Sequence, residues 1–453
     1  MSCKLLSINE QSDIQSNNLK LEFRKYLSLP GMLKKVSSVF HKIIDPLQTN
    51  RPRVILRDCL MSGLAMFLLK YPSLLSFNNA QEEENICDNL KTLYELESVP
   101  SDTYLRERLD VINPATLRPA FKSIFAMLQR GKALEPYHYL DGYLLSIDGT
   151  GLFSSHEVHC DQCNVKNHSN GSKTYYHQML SAVLVHPDKK AVIPLAPEPI
   201  LKTDGKNKND CERNAAKRLL EDIKREHPHM KFIIVEDGLA SNAPHISLLK
   251  ELNFQFILGA KPTDHTFLFD WVSKSQYIEH EETDKNGTKH RFRFINQVPL
   301  NESNFDLNVN FIEYWEEKKN GEKQHFSWVT DITITVLNCY EIMKGARARW
   351  KIENETFNTL KNQGYHFEHN FGHGNEYLCT VFAYLMMLAF LIDQTQQLCC
   401  NFFQAALKFQ KNKRALWERM RAIFVDYIFK SWYDFYTALT SRAMKVIFTA
   451  NTM

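Results

Sequence analysis

The sequence predicts an α/β core carrying a strand-rich insertion, with a helical region before it and another after it. Two short runs rich in apolar and β-branched residues, Tyr143 to Ile147 and Lys231 to Val235, lead into acids followed by glycine at Asp148-Gly149 and Asp237-Gly238. Continuous apolar runs of this kind read as buried strands. A third acid, Glu353, lies in a helix-patterned stretch from Ala348 to Lys361. Between the second and third acids the chain alternates apolar and polar residues around Asn-Gly turns, the pattern of antiparallel strands.

In chain order, residues 1–30 are polar and irregular in pattern. Residues 31–135 read as a small helical domain. Val54 to Leu69 has strong helical apolar spacing, and Pro100-Ser101-Asp102-Thr103 reads as the start of a helix continuing through Leu109. The core is assigned to 136–264 and 331–395. Its strands are expected at 143–148, 174–186, 191–201, 231–237 and 255–261. A helix opens at Asp210 with acids at its start, as the helix dipole favours, and a second covers Pro244 to Leu252. The insertion, 265–330, holds strands around Lys289 to Ile295, Asn310 to Trp315 and His325 to Val329, with turns at Asn286-Gly287 and Asn320-Gly321. Leu378 to Ile392 is the longest apolar helix and is followed at once by Asp393. It falls short of the ~20 residues of a membrane span, so a core helix packed on the sheet is expected. Residues 396–453 form a helical C-terminal region.

The three acids carry the chemistry. At about 100° per residue, Glu353 shares a helix face with Arg349, Trp350, Phe357 and Leu360, while Glu355 points away. A carboxylate among core residues costs free energy unless it is paired or binds a cation. Ligand sites of open α/β sheets lie at the carboxyl ends of strands, where Asp148 and Asp237 are expected. Three oxygen-donor carboxylates suit Mg²⁺. A pair of such ions about 3.5–4 Å apart stabilises both the attacking and leaving oxygens of a phosphoryl displacement.

The ordered set Ile147-Asp148-Gly149-Thr150, Val235-Glu236-Asp237-Gly238 and Arg349-Trp350-Lys351-Ile352-Glu353 resembles the DDE transposases of bacterial insertion sequences, in the type with a β-rich insertion before the last acid. The resemblance covers residues 140–395. It implies an RNase H-like catalytic core, with Asp148, Asp237 and Glu353 as catalytic residues holding two Mg²⁺ ions, for which Mn²⁺ can substitute. It implies cleavage and strand transfer at terminal inverted repeats, double-stranded DNA as partner, and a homodimer in a synaptic complex. The helical N-terminal domain and the insertion would contact the DNA ends. A catalytically silent DNA-binding relic and a stand-alone metal-dependent nuclease are the alternatives. The family's Tyr and Lys around the Glu are replaced here by Ala346 and Leu360, with Lys361 one place later. Arg349, Lys361, Arg347 and Lys351 are therefore the candidate DNA contacts near the site.

Composition sets bounds on this reading. The formal net charge is +3 over 453 residues, which neither demands nor excludes nucleic acid. Basic residues cluster at Lys344 to Lys351 and at Lys408 to Arg421, and such clusters can neutralise phosphates. Ten cysteines are too sparse for a disulfide framework, and with no signal-peptide pattern at the N-terminus they are expected as thiols in a cytoplasm. Cys160-x-x-Cys163 with His168 offers three of the four ligands of a structural zinc site, with His156 or His159 as the fourth; a metal-free loop is the alternative. His366, His369 and His373 form a second cluster past the Glu helix.

Overall fold

A computed structural model describes residues 25–48, 52–205 and 208–441. The expected irregular segment 1–30 lies largely outside the described residues, as does the end of the C-terminal region.

Among the described residues six α-helices come first: α1 Leu29–Phe40, α2 Leu56–Leu68, α3 Leu74–Ala80, α4 Glu84–Tyr94, α5 Asp102–Asp110 and α6 Arg118–Arg130. The core follows, with β1 His138–Tyr139, β2 Gly142–Ser155, β3 Asn164–Asn167, β4 Lys173–Leu184, β5 Ile193–Pro194, β6 Glu198–Ile200, α7 Lys208–Glu226, β7 Phe232–Glu236, α8 Ala243–Glu251 and β8 Gln255–Gly259. Next come α9 Thr266–Lys274 and four strands, β9 Ile278–Thr283, β10 Lys289–Asn301, β11 Asn304–Glu317 and β12 Lys323–Thr330. The described residues close with α10 Cys339–Arg347, α11 Asn358–Asn362, α12 Leu378–Cys399, α13 Asn401–Gln410, α14 Lys413–Asp426 and α15 Trp432–Thr440.

The strands form one mixed sheet, β3-β4-β2-β7-β8-β12-β11-β10-β9, with β5 and β6 along the outer edge of β4. The central strands β2, β7 and β8 are parallel, and β4 runs antiparallel to β2. Parallel neighbours need crossovers, which α7 and α8 supply. Phe232 to Glu236 is wholly buried, the apolar run expected of a strand covered on both faces.

Four sequence expectations change. The strand carrying Asp148 does not end there; it runs on to Ser155 because β4 pairs with it as far as Tyr175. The expected strand 191–201 divides into β5 and β6, with Leu195 to Pro197 between them. The insertion opens with helix α9 and then extends the core sheet, since β12 pairs with β8. The apolar helix α12 is 22 residues long, beyond the stretch read from the sequence, and is long and apolar enough to cross a membrane. Its apolar window is 94% buried inside the fold, which agrees with its reading as a core helix.

Helix α12 is where the N- and C-terminal regions meet. It packs on α2, α5, α6 and β5, so the flanking helices and the sheet share one apolar core. Its N-terminus is held by Asp110, whose carboxylate accepts the backbone N–H groups of Asn375, Glu376, Tyr377 and Leu378 at 2.7–3.0 Å. An anion there satisfies donors that a helix start leaves unpaired and complements its dipole. Gly374 is required beside it: its φ is +70°, and a Cβ would lie 2.3 Å from the Asp110 oxygen. The side chain of Asn89 on α4 donates to the carbonyls of Phe424 and Tyr427 and accepts from the N–H of Phe429, fastening the first helices to the last.

Near the far end of α12, Lys70 is fully buried and pairs with Asp393 at 2.7 Å. Its ammonium also lies 4.4 and 4.3 Å from the rings of Tyr365 and Trp417, and Tyr365 donates its hydroxyl to Asp393 at 2.6 Å. Removing one partner of a buried pair strands the other charge. Lys70→Met is expected to cost roughly 3–5 kcal/mol in denaturant unfolding. Lys70→Met combined with Asp393→Leu should recover more than half of that loss; a double variant no more stable than the single would refute the pairing account.

Candidate active site

Strand β2 brings Asp148 to the middle of the sheet. The parallel register pairs Leu145 with Ile234 and Ser146 with Val235. Asp148 lies two residues beyond Ser146 on β2, and Asp237 two residues beyond Val235, just past the end of β7. Asp237 follows the last residue of β7 and caps a short 3₁₀ turn, its carboxylate accepting the N–H of Leu239 at 2.9 Å. Gly259 on β8 permits that turn, because a Cβ there would sit 3.0 Å from the backbone nitrogen of Gly238. Asp148 and Asp237 line one cleft with Glu212 and Arg213 of α7 and with Glu236, Asn242 and His245.

The third acid arrives on a helical rod that is not uniform. Helix α10 tightens into a 3₁₀ turn at Ala348–Trp350 and then widens into a π-helical stretch at Ile352–Phe357 before α11. π-helical turns inside helices occur frequently at functional sites. Regular 100° spacing therefore fails across this stretch. Ile352, Thr356, Phe357 and Leu360 are buried, but Trp350 and Glu353 are exposed. The expectation that Glu353 is a buried carboxylate among core residues is thus corrected: its side chain is 49% exposed.

What joins Glu353 to the sheet is Arg349. Its guanidinium lies 2.9 Å from Glu353 and 3.3 Å from Asp148. The rod is pinned to β2 by the Ser146 hydroxyl, which donates to the Arg349 carbonyl at 3.1 Å. Gly345 lets the rod approach, since a Cβ there would lie 3.2–3.5 Å from Tyr139, Leu144 and Ile257. Burial pushes the Asp148 carboxyl up to about 6. Arg349 and the Gly149 N–H oppose that rise, while the nearby Glu353 and Asp237 carboxylates add to it. Arg349 thus joins the half-buried Asp148 to the exposed Glu353, and the exposed Asp237 lines the cleft beside Asp148. The donor set is all carboxylate oxygen, the ligand type that Mg²⁺ and Mn²⁺ prefer.

The other candidate DNA contacts already have partners. Arg347 pairs with Glu316 of the insertion, Lys361 with Glu368 at 2.8 Å, and Lys351 donates to the Lys189 carbonyl at 2.7 Å. In the insertion, Arg291 pairs with Glu279 at 2.9 Å and Arg293 with Glu313. In the second basic run, Arg414 pairs with Glu418 at 3.2 Å and Arg421 donates to the Lys70 carbonyl at 2.8 Å.

Sequence reasoning missed two members of the cleft. Glu212 comes so close to β2 that a Cβ at Gly149 would lie 3.1 Å from its carboxylate. His245 and Glu236 form a buried pair at 2.7 Å. Burial lowers the His245 imidazole, but the Glu236 carboxylate outweighs it and raises it. The acids at the start of α7 were legible as a helix signal, not as site residues.

The zinc expectation is also redrawn. His168 turns away to Thr174 at 2.7 Å, and His156 lies 2.9 Å from the Lys173 carbonyl. The residues that do meet Cys160 and Cys163 are His177 of β4 and His373.

No family model matches the chain, and no curated protein matches it. A solved structure to which it is similar is the cryo-EM structure of the piggyBac transposase synaptic complex with hairpin DNA, at 9% identity and a TM-score of 0.40, covering 92% of this chain and 78% of that one.

Proposed function

We propose that the chain is a DDE-type DNA transposase with an RNase H-like core, of the insertion-sequence type with a β-rich insertion, acting on double-stranded DNA. The observation that carries this reading is the bridge from Asp148 through Arg349 to Glu353, with Asp237, just past the neighbouring strand, lining the same cleft as Asp148. The order of the sheet supports it: an antiparallel β2–β4 start with β5 and β6 at its edge, then two parallel strands reached through helices.

Asp148, Asp237 and Glu353 would hold two Mg²⁺ ions, which when bound activate the attacking oxygen and stabilise the leaving one. Arg349 holds Asp148 and Glu353 in place by two ion pairs, and its planar fork suits a phosphate oxygen once DNA enters. On this proposal the protein would act as a homodimer on two element ends.

The test uses purified full-length protein with the DNA that flanks its own reading frame, in Mg²⁺. End cleavage followed by joined products is expected. Asp148→Asn, Asp237→Asn and Glu353→Gln should each lower cleavage by about a thousandfold, since metal-ion stabilisation amounts to several kcal/mol. Cleavage without joined products would make it a nuclease, and undiminished cleavage by any of the three variants would remove that acid from the site.

Asp148 gives a separate outcome in metal-free buffer. Its carboxyl keeps its proton to about 6 when folded, against an ordinary value of 3.8. The folded state then binds more protons between those values, so stability falls as pH rises from about 4 to about 6 and stays lowered above that. In EDTA at pH 7.5, Asp148→Asn should be more stable than the parent by on the order of 2 kcal/mol in urea unfolding. The difference should vanish near pH 4. A parent at least as stable as the variant at pH 7.5 would contradict the burial of this carboxyl.

A further inference from the structure

We infer that Cys160, Cys163, His177 and His373 form a structural zinc site. Among the described residues they are the group of potential ligands whose donor atoms all lie within 4.8 Å of one another. The two sulfurs are 3.9 Å apart, too far for a disulfide and close to the edge of a zinc tetrahedron. With Zn–S of about 2.3 Å and Zn–N of about 2.0–2.1 Å, tetrahedral geometry requires roughly 3.8 Å between sulfurs and roughly 3.6 Å between sulfur and nitrogen. The observed sulfur–nitrogen separations are 3.4 Å for Cys160–His177, Cys163–His177 and Cys163–His373.

Cys163, His177 and His373 are buried and Cys160 is half-buried, so three of the four ligands are shielded from solvent. Four protein ligands with no open position mark a structural rather than a catalytic zinc.

The placement gives the ion a task. Cys160 and Cys163 follow the end of β2, the strand that carries Asp148. His177 stands opposite Phe153 on β4. His373 lies in the segment between α11 and α12, downstream of Glu353, with its ring 4.4 Å from that of Phe153. A zinc here ties the segment after the Glu353 rod to the far end of the strand bearing Asp148. That closes a loop of over two hundred residues between Cys163 and His373, which a shared ion can stabilise by restricting the unfolded chain. The site rests on ligand geometry and is independent of the reaction proposed above.

The test is metal analysis of full-length protein made without a polyhistidine tag. About one zinc per chain is expected. Replacing it with Co²⁺ should give the intense visible d–d bands of tetrahedral coordination and a near-ultraviolet thiolate-to-metal band. His168→Ala, the ligand suggested by sequence spacing, should keep the metal. His373→Ala and Cys163→Ser should lower its content at least fivefold and lower the melting temperature of the parent protein to that of the chelated form. Folded parent protein with less than about a tenth of an equivalent of zinc, and no cobalt spectrum on reconstitution, would overturn the site. So would His168→Ala losing metal as readily as His373→Ala.

Discussion

The structure turns on the placement of one carboxylate in the middle of a buried sheet. Asp148 sits on β2, flanked by β4 and β7, and its surroundings disfavour its charge. A charge in that position needs an opposite charge within a few ångströms. Arg349 supplies it, and Arg349 can reach only because the rod from α10 lies directly against β2. The Ser146 hydroxyl, the absent side chain at Gly345 and the bond from Lys351 to Lys189 all serve that contact. Glu353 is carried into the same group as a consequence, four residues along from its arginine.

The remaining helices keep the rod and the sheet from sliding apart. Helix α12 runs through the middle of the apolar core, with Asp110 holding its start and Lys70 pairing with Asp393 along its length. The insertion contributes through Glu316, which takes Arg347 at the end of α10. The outer strands are thus joined to the rod by an ion pair and to the core sheet by the β8–β12 ladder.

Much of this was legible in the sequence, for identifiable reasons. Phe232 to Glu236 could be read because a strand buried on both faces is apolar throughout. Alternation and Asn-Gly turns marked the insertion, and Gly287 and Gly321 do adopt positive φ. The acids could be ordered, and Arg349 could be placed on the helix face of Glu353. Three things were not legible. The π-helical widening has no residue signature, so the wheel wrongly buried Glu353 and Trp350. Glu212 approaches through the packing of α7 on the sheet, which local pattern does not encode. The partners of Cys160 and Cys163 are 14 and 210 residues beyond Cys163, whereas spacing rules favour near neighbours such as His168.

The paired cations around the site bear on how a phosphate backbone could be held there. An intramolecular carboxylate must be displaced before a lysine or arginine can bind phosphate directly. Exposed pairs contribute about 0–1 kcal/mol, so Lys361, whose partner Glu368 is 67% exposed, gives up its pair at little cost. Arg347 is different, because Glu316 is 8% exposed and also accepts the Tyr314 hydroxyl. Freeing Arg347 would leave a buried carboxylate without its cation, a cost of several kcal/mol. Displacing its carboxylate partner would thus cost Lys361 little, whereas Arg347 belongs to the frame that joins the insertion to the rod.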